Sequence, residues 1–163
     1  MKRLERTVVK EYARKGLTLA TAESCTGGLI AKRITDVPGS SAVLCGGLVT
    51  YTNEAKTALL GVDPNTIAKD TEVSHACARA MAEGARNRLG TDVAVSTTGF
   101  AGPGGGNETD PVGTVYIAVS SAKGTESERF CAPVGASRSE VRTAAANRAL
   151  ERLLQKAEAI SKT

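Results

Sequence analysis

Four short segments of this 163-residue chain carry side chains whose types and spacing suit chemistry. The first is Glu23-Ser24-Cys25-Thr26-Gly27-Gly28, a hydroxyl-rich stretch between a β-capable run and a helical one. Such a junction aims side-chain oxygens and helix N–H groups at one point, which suits a phosphate or a nucleophile whose product oxyanion needs donors. It also suits an ordinary N-cap with a glycine-softened first turn, and it is not a Walker loop, because no Gly-Lys-Ser/Thr follows. The second is Val49-Thr50-Tyr51-Thr52-Asn53-Glu54-Ala55-Lys56. With a strand ending at Tyr51 and a helix opening at Asn53, Lys56 lies one turn in, facing either the carboxyl end of the strand, where α/β ligands gather, or solvent.

The third segment, Ser96-Thr97-Thr98-Gly99, runs into a loop with five glycines in the eight residues 99–106. Backbone that rich in glycine lets a ligand approach without Cβ clashes, or simply forms a flexible connection. The fourth is Ser137-Arg138-Ser139-Glu140-Val141-Arg142, where arginines at a helix start complete an anion site only if the fold turns them inward. His75, the lone histidine, sits near a helix start and reads as a surface or capping residue. A nucleophilic serine would therefore take its base elsewhere, and a lysine whose pKa is lowered by desolvation is the remaining candidate. Cys25, beside Ser24, is the rival nucleophile.

These segments need a scaffold, and composition bounds it. The length fits one domain, able to hide roughly 70% of its unfolded surface without disulfides or metals. With 3% aromatic residues and no tryptophan the core is built from Val, Ile, Leu and Ala, and a base-stacking platform is excluded. One histidine and four cysteines without a Cys-x-x-Cys pair argue against a metal site or a thioredoxin-like motif. No signal-like segment opens the chain and no apolar run approaches a membrane span, so a soluble cytoplasmic protein with reduced thiols is expected. The net charge of +4 divides into +4 on residues 1–15, +3 on residues 137–163 and −3 between them. Both basic ends read as solvated helix faces, and no base-reading residues accompany them, so nucleic acid is not an expected partner.

Periodicity predicts a helix over 2–15, a strand over 17–22, a helix from 29 to 34, and a turn at Pro38–Ser41. A strand over 43–51 follows, in which Gly46-Gly47 suggests a bulge or close backbone approach. Then come a helix from 52 or 53 to 60, a turn at Asp63-Pro64-Asn65, and a helix over 73–89 capped by Thr71 or Ser74. A strand over 93–97 precedes a hairpin of strands at 114–119 and 128–134 about Ala122-Lys123-Gly124. The last helix starts near Ser137 and is expected to bury Val141, Ala144, Ala145, Leu153, Leu154, Ala157 and Ile160. Interleaved strands and helices with one hairpin predict α/β architecture: a single domain over 1–163, helices on both faces of a mixed sheet.

Taken together, Thr21–Gly28, Pro38–Ser41, Val49–Lys56, Thr98–Pro103 and Pro111–Val115 resemble, in this order, the C-terminal domain family of the competence/damage-inducible protein CinA, in its stand-alone PncC-type form. The resemblance runs from about residue 5 to 155. It implies a three-layer α/β/α sandwich and a nicotinamide-nucleotide amidohydrolase, converting nicotinamide mononucleotide and water to nicotinate mononucleotide and ammonia without metal or cofactor. It further implies Ser24 as nucleophile and Lys56 as base, with Tyr51 supporting them. The expected substrate contacts are Glu23, Thr26, Gly27, Gly28, Thr98, Gly102 and Arg138: N–H groups of the Thr26-Gly27-Gly28 turn for the oxyanion, and Thr98, Gly102 and Arg138 for the phosphate. The family's Gly-Asp-Arg before the last helix is replaced here by Gly135-Ala136-Ser137-Arg138, so the arginine is kept and the acid is not; Arg142 matches a downstream family arginine. Many relatives carry a further N-terminal nucleotide-hydrolase domain, and the expectation is that any activity of this chain resides in the present one. The competing reading is a catalytically silent nucleotide-binding or regulatory module. A homo-oligomer is expected, by analogy with small symmetric α/β enzymes.

Overall fold

The computed structural model describes residues 3–160. The elements are α1 (Leu4–Lys15), β1 (Leu19–Glu23), α2 (Leu29–Thr35), β2 (Leu44–Val49), α3 (Asn53–Leu60), α4 (Pro64–Asp70), α5 (His75–Leu89), β3 (Val93–Gly99), β4 (Thr114–Ser121), β5 (Gly124–Cys131) and α6 (Arg138–Ala159). A 3₁₀ turn over Ser40–Ala42 stands where a plain turn was expected. The strands form one sheet in the order β2-β1-β3-β4-β5. β1 is parallel to both β2 and β3, while β3–β4 and β4–β5 are antiparallel. The sheet is therefore mixed, as expected.

Helices cover both faces. On one, α1, α2 and α6 close over Leu19, Val93, Val95 and Ile117 with Tyr12, Ile30, Ile34, Leu150 and Leu153, all buried. Each such aliphatic side chain contributes about 1.5–3 kcal/mol by leaving water. Tyr12, the largest group in this layer, donates its hydroxyl to the Leu153 carbonyl at 3.0 Å, tying the first helix to the last. On the other face α3, α4 and α5 lie on Ala20, Ala22 and Ala94 with Leu60, Val62, Cys77, Met81 and Ala85. This layer is rich in alanine, so its helices lie close. A Cβ added to Gly84 of α5 would stand only 2.0 Å from the Leu60 carbonyl oxygen of α3.

Local chemistry fixes the element ends. Thr52, Ser74 and Ser137 accept hydrogen bonds from Ala55, Cys77 and Glu140 N–H groups as N-caps, the last within a reciprocal capping box with Glu140. Asp63-Pro64-Asn65, expected as a turn, instead opens α4: the Asp63 carboxylate accepts from Asn65 N–H and Pro64 occupies the first helical position. β5 runs over 124–131 rather than 128–134, leaving Pro133 and Val134 beyond the sheet. The strand at Gly46-Gly47 shows both expected features. Leu19 pairs with Leu44 but Ala20 with Gly46, which makes Cys45 the extra residue, and a Cβ on Gly47 would lie 2.6 Å from Thr21 Oγ1. In α6 the buried set is Val141, Ala145, Ala146, Ala149, Leu150, Leu153 and Ala157; Ala144, Leu154 and Ile160 are half-buried. The first predicted helical residue, Lys2, lies outside the described residues.

Of the two basic terminal helices, α6 has most of its cations paired, while Arg3, Arg6, Lys10 and Arg14 along the first stay exposed, as solvated helix faces are. Arg148, Arg152 and Lys156 of α6 pair with Glu128 and Glu126 of β5, and Arg33 pairs with Glu5 of α1. Among the described residues no helix is long and apolar enough to cross a membrane. All four cysteines are free thiols.

Candidate active site

The parallel arrangement brings the carboxyl ends of β1, β2 and β3 together, and Ser24, Thr50-Tyr51 and Thr98-Gly99 leave the sheet side by side. The ladder extends one step past the strands, with Ser24 N–H donating to the Thr97 carbonyl and Thr50 N–H to the Glu23 carbonyl, both at 2.9 Å. A cleft of about 230 Å³ opens here, lined by Ser24, Lys56, Thr98, Gly102 and Arg138 with Cys25 and Tyr51.

Lys56 reaches back from the first turn of α3 into the sheet. Its Nζ lies 3.0 Å from Ser24 Oγ and donates to the Thr50 carbonyl at 2.9 Å. The side chain is 1% exposed, and this burial lowers the amine's pKa below the ordinary lysine value. The nearby Cys77, Glu72 and Cys25 side chains oppose that fall in part. Nζ is within donating distance of both the Thr50 carbonyl and Ser24 Oγ, and in its deprotonated form the same short contact lets its lone pair take the Ser24 hydroxyl proton. Of the two readings of Lys56, cleft-facing and solvated, the structure shows the first.

Ser24 is not a helix cap. α2 begins at Leu29 behind Gly28, which has no side chain to cap it. The capping group is Glu23: its Oε1 accepts from Thr26 Oγ1 at 2.7 Å and Ile30 N–H at 2.9 Å, and its Oε2 accepts from Ala31 N–H at 3.1 Å. Glu23, expected as a substrate contact, is therefore a buried structural carboxylate that shapes the serine turn and does not line the cleft. Thr26 is likewise fully buried, its hydroxyl 2.7 Å from Thr97 Oγ1. Gly27 and Gly28 adopt positive φ of 59° and 94°, which L side chains avoid. Gly27 N–H already donates to the Ser24 carbonyl, so it is withdrawn from the expected oxyanion set.

Arg138 turns inward although the family's acidic neighbour is missing. Its guanidinium donates to the Gly102 carbonyl at 2.7 Å and to Tyr51 Oη at 2.8 Å, bridging the glycine-rich loop and the β2–α3 junction. Tyr51 is thus on the rim, 58% exposed, with its hydroxyl on Arg138 rather than on Ser24 or Lys56. Thr98 lines the cleft and donates its hydroxyl to the Glu72 carbonyl at 2.7 Å. Arg142 holds the serine turn from outside, donating to the Cys25 and Thr26 carbonyls. Burial pushes the Cys25 thiol up to about 12, which leaves no thiolate near neutral pH. His75 stands apart, with Nδ1 2.8 Å from Ser127 Oγ and its ring edge-on to Tyr116. Among the described residues no cluster of His, Cys, Asp or Glu is arranged to hold a metal ion.

Sequence reasoning missed Glu72, Val73 and Phe100, which complete the cleft wall. Glu72 and Val73 belong to no motif, and Phe100 lies within the Thr98–Pro103 segment without being singled out by it. The only local signal is loop placement, just before α5 and just after β3.

The family model described as the CinA C-terminal domain matches residues 1–157. A CinA-like protein of Geobacter sulfurreducens is 52% identical over 150 residues, 91% of this chain and 35% of that protein. A CinA-like protein of Myxococcus xanthus is 51% identical over 148 residues, with the same coverage. The chain thus spans about a third of the length of these curated relatives. Among solved structures, the competence/damage inducible protein CihA from Agrobacterium tumefaciens superposes with a TM-score of 0.90 at 42% identity, covering 93% of this chain and 92% of that one. A competence-damaged protein (CinA) superfamily protein from Klebsiella pneumoniae gives a TM-score of 0.91 at 32% identity, covering 96% and 97%.

Proposed function

Because the chain belongs to the CinA C-terminal domain family, we propose that it hydrolyses the carboxamide of nicotinamide mononucleotide, giving nicotinate mononucleotide and ammonia. The observation that carries this reading is the 3.0 Å approach of a buried lysine amine, its pKa lowered by desolvation, to a serine hydroxyl at the mouth of a sheet. A nucleophile paired with a base that is neutral enough to accept its proton is the minimum equipment of covalent amide hydrolysis.

Neutral Lys56 takes the Ser24 proton as Oγ attacks the carboxamide carbon. The tetrahedral oxyanion is held by N–H groups of the serine turn, with Thr26 and Gly28 remaining once Gly27 is excluded. The Lys56 ammonium then gives its proton to the departing nitrogen, which leaves as ammonia. Water, deprotonated by the same amine, cleaves the acyl-enzyme and restores Ser24. A cleft of about 230 Å³ is smaller than the roughly 300–1,000 Å³ of whole-ligand pockets, so it seats the reacting ring. The ribose phosphate then lies toward the rim, where Arg138 supplies donors; Thr98, its hydroxyl spent on the Glu72 carbonyl, lines the wall beneath.

The test is ammonia release from nicotinamide mononucleotide by the purified chain and by Ser24→Ala and Lys56→Met. Both substitutions should lower turnover by at least about a thousandfold while the chain still unfolds cooperatively, because each removes a member of the reacting pair. Full activity in Ser24→Ala overturns the assignment. Tight binding of the nucleotide by the wild-type chain without any ammonia release would instead support a silent binding module.

A further inference from the structure

The cleft holds one carboxylate that the amidase reaction leaves idle. Glu72, in the loop between α4 and α5, lines the same wall as Val73 and Thr98. Its main chain is anchored at the reacting end, since its carbonyl accepts the Thr98 hydroxyl at 2.7 Å. The residue is half-buried on the cleft wall, near enough for its charge to raise the pKa of both the Lys56 amine and the Cys77 thiol. Among the described residues its oxygens accept no hydrogen bond and meet no cation at ion-pair distance. The other charges nearby do not balance it. The Arg138 guanidinium is engaged by the Gly102 carbonyl and the Tyr51 hydroxyl, and Lys56 must be neutral to act as base. A carboxylate on a cleft wall with no cation at ion-pair distance is available to pair with a ligand that brings a positive charge.

We propose that Glu72 is a specificity-determining residue that selects carboxamides borne on a cationic ring, an N-substituted pyridinium, over the same carboxamide on a neutral dihydropyridine. The inference rests on the amidase reading of Ser24 and Lys56. It adds that the substrate is recognised by its ring charge as well as by its phosphate.

The probes are nicotinamide mononucleotide and its dihydro form, which share the phosphate and differ in ring charge. Ammonia release is measured for the wild-type chain, Glu72→Gln and Glu72→Asp. Glu72→Gln should lower kcat/KM for the cationic nucleotide by about tenfold, an attraction between partly solvated charges, while the dihydro nucleotide changes by less than about twofold. Glu72→Asp, which keeps the charge, should regain part of the loss. An unchanged preference in Glu72→Gln, or an equal loss on both nucleotides, overturns the proposal. Equilibrium titration of both nucleotides into Ser24→Ala and Ser24→Ala/Glu72→Gln reads Glu72 independently of turnover. Preferential binding of the cationic form that disappears in the double variant supports the assignment, and equal binding of the two forms in Ser24→Ala overturns it. If the wild-type chain releases no ammonia from either nucleotide, the amidase reading fails, and the titration still decides the role of Glu72.

Discussion

Gly84→Ala sets two physical effects of opposite sign against each other. Gly84 lies in the middle of α5, where alanine raises helix propensity and alone would stabilise the protein by about 0.8–1.0 kcal/mol. The added Cβ, however, would meet the Leu60 carbonyl oxygen at 2.0 Å, its carbon at 2.9 Å and Leu60 Cβ at 3.0 Å. Relieving those contacts requires the end of α3 to recede from α5 by about 1 Å or more, an overpacking that costs about 1–3 kcal/mol. The net expectation is a loss of up to about 2 kcal/mol, seen as a fall of several degrees in Tm. Leu60 is one turn beyond Lys56 on the same helix, so the displacement is transmitted to the 3.0 Å approach of Nζ to Ser24 Oγ. Misplacing a reacting group by about 1 Å costs on the order of a hundredfold, so ammonia release should fall by about ten- to a hundredfold. Thermal denaturation and single-substrate kinetics on one preparation check both halves. A variant with raised Tm and full activity would show that the α3–α5 approach does not position the lysine.

Other expectations come from single contacts. Glu23→Gln should lower stability by about 1–3 kcal/mol in chemical denaturation, because an amide cannot accept all three of the hydrogen bonds the carboxylate receives; a change in KM with unaltered stability would restore Glu23 to the substrate contacts. Cys25→Ala should keep most ammonia release, since the thiol is pushed up to about 12, and a dead variant would point to cysteine chemistry. In the wild type, the lowered pKa of Lys56 means the folded chain holds fewer protons than the unfolded chain between the folded value and the ordinary one. Stability therefore rises with pH through that window, and Lys56→Met should flatten the rise in denaturation curves taken at successive pH values. Arg138→Lys should raise KM with a smaller effect on kcat, because one ammonium cannot bridge both the Gly102 carbonyl and the Tyr51 hydroxyl.

Much of this architecture is legible from pattern, and the failures have physical causes. Strands β1, β3 and β4 are buried on both faces and are made mostly of Val, Ile, Ala, Thr and Ser, so their existence is easy to infer. The same two-sided burial hides which way a side chain at a strand end points, so pattern assigns Glu23 to the site when it faces the start of α2. Asp63-Pro64-Asn65 carries turn chemistry and helix-start chemistry at once, and only the helical run from Thr66 to Asp70 decides between them. β5 is an edge strand of alternating exposure, so its polar first half, Gly124 to Ser127, looks like loop, while the apolar Pro133-Val134 lies beyond it. Ser24 and Lys56 can be named as candidates because each sits at a strand–helix junction, but only the family resemblance pairs them. Tyr51 can be placed at the rim but not paired, since its partner Arg138 is 87 residues away. Glu72 carries no pattern at all.

The serine turn is laid down within the first 30 residues, yet two of its carbonyls are held by Arg142 of the last helix, and the rim is bridged by Arg138 from the same helix. During vectorial synthesis the parallel core of β1, β2 and β3 emerges while those arginines are still unmade. A nascent chain therefore has Ser24 and Lys56 long before it has a fastened turn or a finished rim. Proteolytic removal of α6 would have the same effect on the mature protein, far from the chemistry. The order of the cleft is thereby coupled to the docking of α6, which is tied to α1 through Tyr12.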